Sequence, residues 1–401
     1  MSRRGLLVLG ATGSVGRNTL DVAARHPDQF EIHALSGHRD VAAMLELCKS
    51  YSPRQVVMAD PEAALALRDR LQDAGIKQIE VCGGPEALAD LAGDGATPLV
   101  MSAIVGAAGL LPTLAALTAG KQVLIANKEP LVMAGALVMR TATQHQATVL
   151  PIDSEHNAVF QCLPPGSQCG RAATGIRRVV LTASGGPFRQ TPMAQLAEVT
   201  VAQAVAHPNW VMGPKISVDS ASMMNKGLEL IEAQCLFQLA PQQLDVVIHP
   251  QSLVHALVEY QDGSTLAHLG QPDMRVPIAH ALAWPQRLES GVSGLSLTEI
   301  GRLDFEAVDY QRFPCLKLAQ QTLADQSGCA ANVLNAANEV AVQGFLEQKL
   351  RFTEIHELID HCLQASTGAE LPQADDLQAV IAVDSWARKQ AQQRLQELQN
   401  A

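Results

Sequence analysis

The sequence predicts an α/β protein in three parts: an N-terminal parallel sheet, an α+β domain on an open sheet, and a C-terminal helical domain. Three observations carry that expectation. Over residues 1–152, short apolar runs alternate with helix-patterned stretches, as in a parallel sheet with crossover helices. Over 153–285, strand-like runs cluster, with a hairpin signal at Asp262-Gly263. After a linker-like stretch at 286–311 that follows Trp284-Pro285, residues 312–401 keep helical apolar spacing throughout.

The elements follow in order. Leu6–Leu9 reads as a strand, Ser14–Arg25 as a helix, Glu31–Ser36 as a strand, Val41–Lys49 as a helix and Gln55–Ala59 as a strand. Val100–Ile104 and Gln122–Ala126 fit two more strands, each ending in small or polar residues. Leu99–Leu117 is nearly uncharged and about long enough to span a bilayer. Gly106, Gly109 and Pro112 interrupt it, and it has no basic or aromatic flank, so it reads as a strand, a Gly turn and a covered helix. In the middle part, Arg178–Thr182, Asp245–Pro250, Leu253–Tyr260 and Ser264–Leu269 read as strands, and Asp219–Leu236 as one helix. Leu316–Leu323, Ala330–Gln348, Thr353–Leu363 and Ser385–Leu398 are the C-terminal helices.

The 401-residue chain is 47% hydrophobic but only 3% aromatic, so its core must be built from Ala, Leu, Val and Ile. The net charge of −11, with no run of Lys or Arg, argues against a nucleic-acid partner. An anionic ligand must then be held by local donors. The eight Cys include no CxxC pair and no zinc spacing, and most of them read as buried thiols in a reducing compartment. The first strand begins too near Met1 to leave room for a targeting peptide, so a cytoplasmic location and no membrane partner are expected.

Gly10-Ala-Thr-Gly13-Ser-Val-Gly16 follows the first strand and opens a helix. Glycines allow a tight turn and close backbone approach, and the helix N-terminus offers N–H donors to a pyrophosphate. In this Rossmann-like context the loop reads as dinucleotide-binding; the alternative is a plain structural turn. The second strand ends in Gly37-His38-Arg39-Asp40 rather than in a single acid. Arg39 and His38 suit the 2′-phosphate of NADPH, whereas Asp40 would suit NAD.

Pro151-Ile-Asp153-Ser154-Glu155-His156-Asn157 is the second informative segment. If it is extended, Asp153 and Glu155 project to one side and repel unless a cation or a proton intervenes. An oxygen-rich pair suits Mg²⁺ or Mn²⁺ better than Zn²⁺; the same residues would also make a solvated acidic turn. Asn225, Lys226 and Glu229 fall at helical i, i+1, i+4 spacing, so they can face one pocket, or form an ordinary amphipathic surface. Ser220, read as lying at the start of that helix, offers a hydroxyl to a phosphate. Ser184-Gly185-Gly186 follows a strand and permits close approach to a ligand, or makes an ordinary tight turn. The loop holding His207, Trp210 and Met212 suits a water-excluding flap, with His207 on phosphate. Lys128, at a strand end in Ala126-Asn127-Lys128-Glu129, could stabilise a developing oxyanion or form a surface Lys–Glu pair.

These segments, together with SAIVGAAGLLPTLAA, HPQSLVHALVEYQDGS and LNAANE, occur in an order that resembles the 1-deoxy-D-xylulose 5-phosphate reductoisomerase family along nearly the whole chain. The resemblance implies a homodimer that uses NADPH and a divalent cation to turn 1-deoxy-D-xylulose 5-phosphate into 2-C-methyl-D-erythritol 4-phosphate. The reaction is an isomerisation, most simply retro-aldol/aldol, followed by hydride reduction of the aldehyde, in non-mevalonate isoprenoid biosynthesis. By motif match, Asp153, Glu155 and Glu229 would bind Mg²⁺ or Mn²⁺. Ser154, Glu155, Ser184, His207, Ser220, Asn225, Lys226 and Glu229 would meet the phosphosugar. Thr12, Gly13, Ser14, Val15, Gly37, Arg39, Asn127, Glu129, Gly213 and Met274 would lie along NADPH. Lys128 would be catalytic, and Trp210 and Met212 would belong to the flap. Pro130 stands where the family commonly has Ser, and Gly37-His38-Arg39-Asp40 departs from its usual strand end.

Two other functions fit parts of the pattern. A semialdehyde dehydrogenase would need a nucleophilic Cys, and Cys162 has no evident activating neighbour. A binding sensor would not need so many carboxylates beside Lys128 and Lys226.

Overall fold

A seven-stranded, wholly parallel sheet organises the first part of the protein. Its strands are β1 (Arg4–Leu9), β2 (Phe30–Gly37), β3 (Gln55–Met58), β4 (Glu80–Gly83), β5 (Leu99–Ser102), β6 (Gln122–Ile125) and β7 (Thr148–Pro151). They lie in the order β4-β3-β2-β1-β5-β6-β7. The computed structural model describes residues 3–206, 210, 212–325 and 327–400. Leu6, Leu7, Val8 and Leu9 of the central strand are wholly buried, as expected of a strand covered by helices on both faces.

The chain divides into two compact units. The first holds this sheet and comprises the chain up to Pro130, Arg140–Asn157 and Asp273–Ser293. Its last segment contributes the Arg275–Ala283 helix, which packs on the Ser14–Arg25 helix. Arg275 pairs with Asp21 of that helix at 3.4 Å, and His26 Nε2 meets the Glu289 carbonyl at 2.8 Å.

The second unit comprises Leu131–Met139, Ala158–Pro272 and Gly294 onward. Its open sheet has β8 (Ile176–Ala183) parallel to β9 (Leu244–Ile248) and antiparallel to β10 (Val254–Tyr260). β11 (Thr265–Leu269) closes the expected hairpin with β10 and forms one edge. The Met224–Phe237 helix packs on β8 and β9, and Pro314–Thr322 packs on that helix. Cys329–Leu346, Glu354–Thr367 and Leu377–Gln399 pack together as the C-terminal helical layer.

Three sequence expectations change. The Asp219–Leu236 helix is two helices, Pro214–Ala221 and Met224–Phe237, broken where Met223 takes a left-handed conformation (φ 57°). Ser220 therefore sits in the last turn of the first helix, not at a helix start. The segment after β7 is not extended, since the Ser154–Cys162 helix begins at once. The last helix starts at Leu377 rather than Ser385, because the Asp376 carboxylate caps it by accepting from Ala379 N. Leu99–Leu117 is β5, a turn and the Leu110–Thr118 helix, and among the described residues no helix is long and apolar enough to cross a membrane.

Candidate active site

In the first unit the glycine loop leaves β1 and starts the Ser14–Arg25 helix. Gly10 has φ 81°, and a Cβ there would fall 2.4 Å from the Ala103 carbonyl oxygen. A Cβ on Gly16 would fall 2.4 Å from the Gly10 oxygen, so the turn closes only with glycine at both places. Gly10 N donates to Ser36 Oγ at 3.1 Å, which ties the loop to β2. Gly13 is the N-cap and offers no side-chain acceptor, and Gly13 and Ser14 are exposed between half-buried Thr12 and Val15. The first N–H groups of this helix are thus left to an external acceptor, as an anion site requires.

The polar residues at the end of β2 have local partners. Asp40 caps the Val41–Tyr51 helix by accepting from Ala43 N at 2.9 Å, so its carboxylate is engaged locally. Arg39 is exposed and pairs through Nε with Asp60 at 2.7 Å. The Ala63 amide and Arg39 hold the Asp60 carboxyl below its ordinary range. Gly37 packs against the Met44 side chain. Met274 opens the Arg275–Ala283 helix, and Asp273 fixes that start by accepting from Arg275 N at 2.9 Å.

Asn127 follows β6 and is buried. Its Oδ1 accepts from Ser102 Oγ at 3.2 Å, and Ser102 in turn meets Thr113 Oγ1 at 2.8 Å. This chain orients the amide and leaves Nδ2 without a partner among the described residues. A buried donor of that kind is costly unless a ligand satisfies it. Glu129 is buried at the start of the Glu129–Gln144 helix, where Pro130 falls in the first turn and sacrifices no helical hydrogen bond.

At the C-terminal end of β7, Asp153 forms an ion pair with Lys128, and His156, wholly buried, brings Nδ1 to 3.6 Å from the same carboxylate. Ser154 Oγ donates to Glu155 Oε2. Carboxylate oxygens of Asp153 and Glu155 lie within 4.8 Å of each other, a spacing one hard cation can bridge. Asn157 anchors the turn by donating to the Pro151 carbonyl at 2.9 Å and to His280 Nδ1 at 3.2 Å. Burial and the nearby Arg287 push the His280 pKa down to about 4, so the ring is neutral and can accept that bond. Asn157 was visible in the sequence only as part of a motif; His280 lies 123 residues away and carried no local signal.

In the second unit, Asn225 Nδ2 donates to Glu229 Oε1 at 2.5 Å, and Lys226 Nζ to Oε2. Glu229 is wholly buried, and Lys226 nearly so. Ser184 follows β8, and its Oγ accepts from Gly186 N at 3.1 Å. A Cβ on Gly186 would lie 2.7 Å from the Ser220 oxygen, so the Ser184 loop rests directly on the helix end that carries Ser220. Trp210 stands edge-on to His255 of β10, with ring centroids 6.5 Å apart. Met212 is half-buried, and Gly213 is the exposed N-cap of the Pro214–Ala221 helix. His207 lies outside the described residues.

Three family models match the chain. Residues 6–135 match 1-deoxy-D-xylulose 5-phosphate reductoisomerase, 149–237 its C-terminal domain, and 269–390 the DXP reductoisomerase C-terminal domain. The 1-deoxy-D-xylulose 5-phosphate reductoisomerase of Acidithiobacillus ferrooxidans is 59% identical over 393 residues, covering 98% of this chain and 97% of its own. A crystal structure of DOX-P reductoisomerase in complex with NADPH, fosmidomycin and magnesium aligns with TM-score 0.91 at 46% identity over 98% of each chain. The Zymomonas mobilis enzyme in complex with NADPH aligns with TM-score 0.89 at 44% identity over 98% of this chain and 99% of that one.

Proposed function

The chain belongs to the 1-deoxy-D-xylulose 5-phosphate reductoisomerase family, and on that premise we propose that it converts 1-deoxy-D-xylulose 5-phosphate to 2-C-methyl-D-erythritol 4-phosphate with NADPH and Mg²⁺ or Mn²⁺. The observation that carries this reading is the Asp153/Glu155 oxygen pair, beside Lys128, at the C-terminal edge of a nucleotide-binding type of sheet. Ligands of such sheets bind beyond the carboxyl ends of the strands.

The residues present fit both groups. The uncapped helix start at Gly13-Ser14 and the unpartnered Nδ2 of Asn127 suit the phosphates and polar edges of NADPH. Arg39, exposed and held by Asp60 through Nε, suits a 2′-phosphate better than Asp40 suits a ribose, because Asp40 is committed to its helix. The hard carboxylate oxygens of Asp153, Glu155 and Glu229 suit Mg²⁺ or Mn²⁺. When bound, the cation supplies Lewis acidity toward the ketone and adjacent hydroxyl oxygens, and NADPH supplies the hydride for the rearranged aldehyde.

The protein's own residues supply the rest. Lys128 holds Asp153 in place and offers a positive charge where an oxyanion develops during retro-aldol/aldol isomerisation. Asn225 and Lys226 fix the Glu229 carboxylate through both of its oxygens. Ser154, Ser184, Ser220, Asn225 and Lys226, with His207, bind the phosphosugar. Trp210 and Met212 exclude water from it, while Gly213 and Met274 border the cofactor. Phosphate contacts remote from the reacting carbons hold the substrate for the transition state.

The active species is a homodimer in the cytoplasm. The exposed edge strand β11, with Leu266 50% and Leu269 36% accessible, supports a second copy covering that face. The test is loss of NADPH absorbance with the pentulose phosphate, with or without Mn²⁺. Substrate- and metal-dependent loss of absorbance is expected; a preparation that consumes no NADPH with both present overturns the proposal.

A further inference from the structure

The segment from Arg302 to Arg312 has little regular structure, yet it is fastened to the sheet of the second unit. Ile248, the last residue of β9, exchanges both backbone bonds with Glu306, at 2.9 and 2.8 Å. His249, wholly buried, donates through Nδ1 to the Asp304 carbonyl at 2.8 Å and stacks on Phe305 with ring centroids 4.8 Å apart. The segment then reaches the loop that follows β8. Glu306 pairs with Arg189 at 2.5 Å. Arg312 donates through Nη1 to the carbonyl oxygens of Phe188, at 3.1 Å, and Thr191.

That loop begins at Ser184 and passes through Gly185 and Gly186, with φ 81° and 65°. Two glycines in succession give it a wide choice of conformations unless something outside fixes it. The Phe188 and Thr191 carbonyls belong to no strand or helix; within the loop the Phe188 oxygen accepts from Thr191 N at 3.2 Å, which leaves its second lone pair and the Thr191 oxygen for a donor outside the loop. Arg312, with a largely buried side chain, meets both with one rigid, permanently charged group.

We propose that Arg312 is a positioning residue for the phosphosugar: by clamping the Phe188 and Thr191 carbonyls, it sets the conformation in which Ser184 can donate to the phosphate ester. This rests on the assignment of Ser184 to the substrate given above. The clamp acts on the phosphosugar because the loop it holds carries Ser184 and none of the residues assigned to NADPH.

The experiment measures KM for the pentulose phosphate and for NADPH, kcat and Tm in wild type, Arg312→Gln, Arg312→Lys, Ser184→Ala and the Ser184→Ala/Arg312→Gln double variant. Losing one charge-assisted clamp should raise KM for the pentulose phosphate about tenfold in Arg312→Gln, with kcat changed less and KM for NADPH unchanged. Arg312→Lys, which keeps a charged donor, should recover most of that loss. The double variant should have a KM no higher than Ser184→Ala alone, since both act through one group. If Arg312→Gln does not fold, Arg312→Lys carries the comparison, with a smaller rise in the same KM. A lowered Tm with KM unchanged, an equal rise in both KM values, or effects that multiply in the double variant overturn the clamp. Active wild type with these results discards the clamp alone; inactive wild type discards the assigned reaction and the clamp with it.

Discussion

Lys226 and Glu229 form a buried ion pair one helical turn apart, with side chains 4% and 1% exposed. Asn225 holds the second carboxylate oxygen, so the Glu229 side chain has no freedom to choose another rotamer. A carboxylate fixed in this way is suited to a cation and poorly suited to moving a proton. Glu229→Gln keeps shape and loses charge. Turnover should fall by about a thousandfold or more, and Tm should fall because a buried cation has lost its anion, at a cost of about 3 kcal/mol. Far-UV circular dichroism should be unchanged. Near-normal NADPH consumption by this variant would refute its role as a metal ligand.

Asn127 shows how closely the cofactor region is packed. A Cβ on Gly109 would lie 2.1 Å from its Nδ2, so Gly109→Ala must push the amide out of place. Both Gly109→Ala and Asn127→Ala should weaken NADPH binding, by about tenfold for the loss of one buried hydrogen bond. Fluorescence titration with NADPH checks this; unchanged affinity in Asn127→Ala would remove Asn127 from the cofactor site.

His280 makes the first unit sensitive to acid. Its pKa is about 4 in the folded chain, against an ordinary value near 6.5, so the unfolded chain binds more protons between those limits. Stability is full above about pH 6.5 and is lost as pH falls toward 4, by about 2–3 kcal/mol in all. Protonation also removes the acceptor that Asn157 uses, so the turn carrying Asp153 and Glu155 should loosen in the same range. Urea unfolding at pH 7 and pH 5 should show the decline, and His280→Gln should flatten it.

The edge strand β11 gives the clearest test of assembly. Leu266→Lys places a charge on the exposed face, where a second copy would have to bury it. Sedimentation should then show a monomer where wild type is a dimer. If both sediment as dimers, another surface joins the subunits; if both sediment as monomers, the proposed homodimer is refuted.

Much of this architecture could be read from sequence. β1, β3, β5 and β6 were legible as short apolar runs, and β2 as a mixed run in the β-α-β alternation. β4 and β7 were not: both are edge strands, one reading Glu-Val-Cys-Gly and the other ending in Pro151. The break at Met223 had no marker, since no Gly or Pro interrupts the apolar spacing around it. Within the candidate site, the Asn225–Lys226–Glu229 grouping followed from spacing on one helix. The cap formed by Asp40 was hidden because an acid at a strand end suits both a ribose and a helix start. The partners Asn157–His280 and Phe188–Arg312 lie more than a hundred residues apart, and only tertiary packing reveals them.

The sheet of the first unit depends on residues made late. Gln122 of β6 bonds to the Ala281 carbonyl at 3.3 Å, Arg4 of β1 to that of Leu282, and Arg275 reaches Asp21. A nascent chain with its first 272 residues outside the ribosome lacks every one of these contacts. These contacts of the nucleotide-binding half therefore form only after residues 158–272 of the other half have been translated.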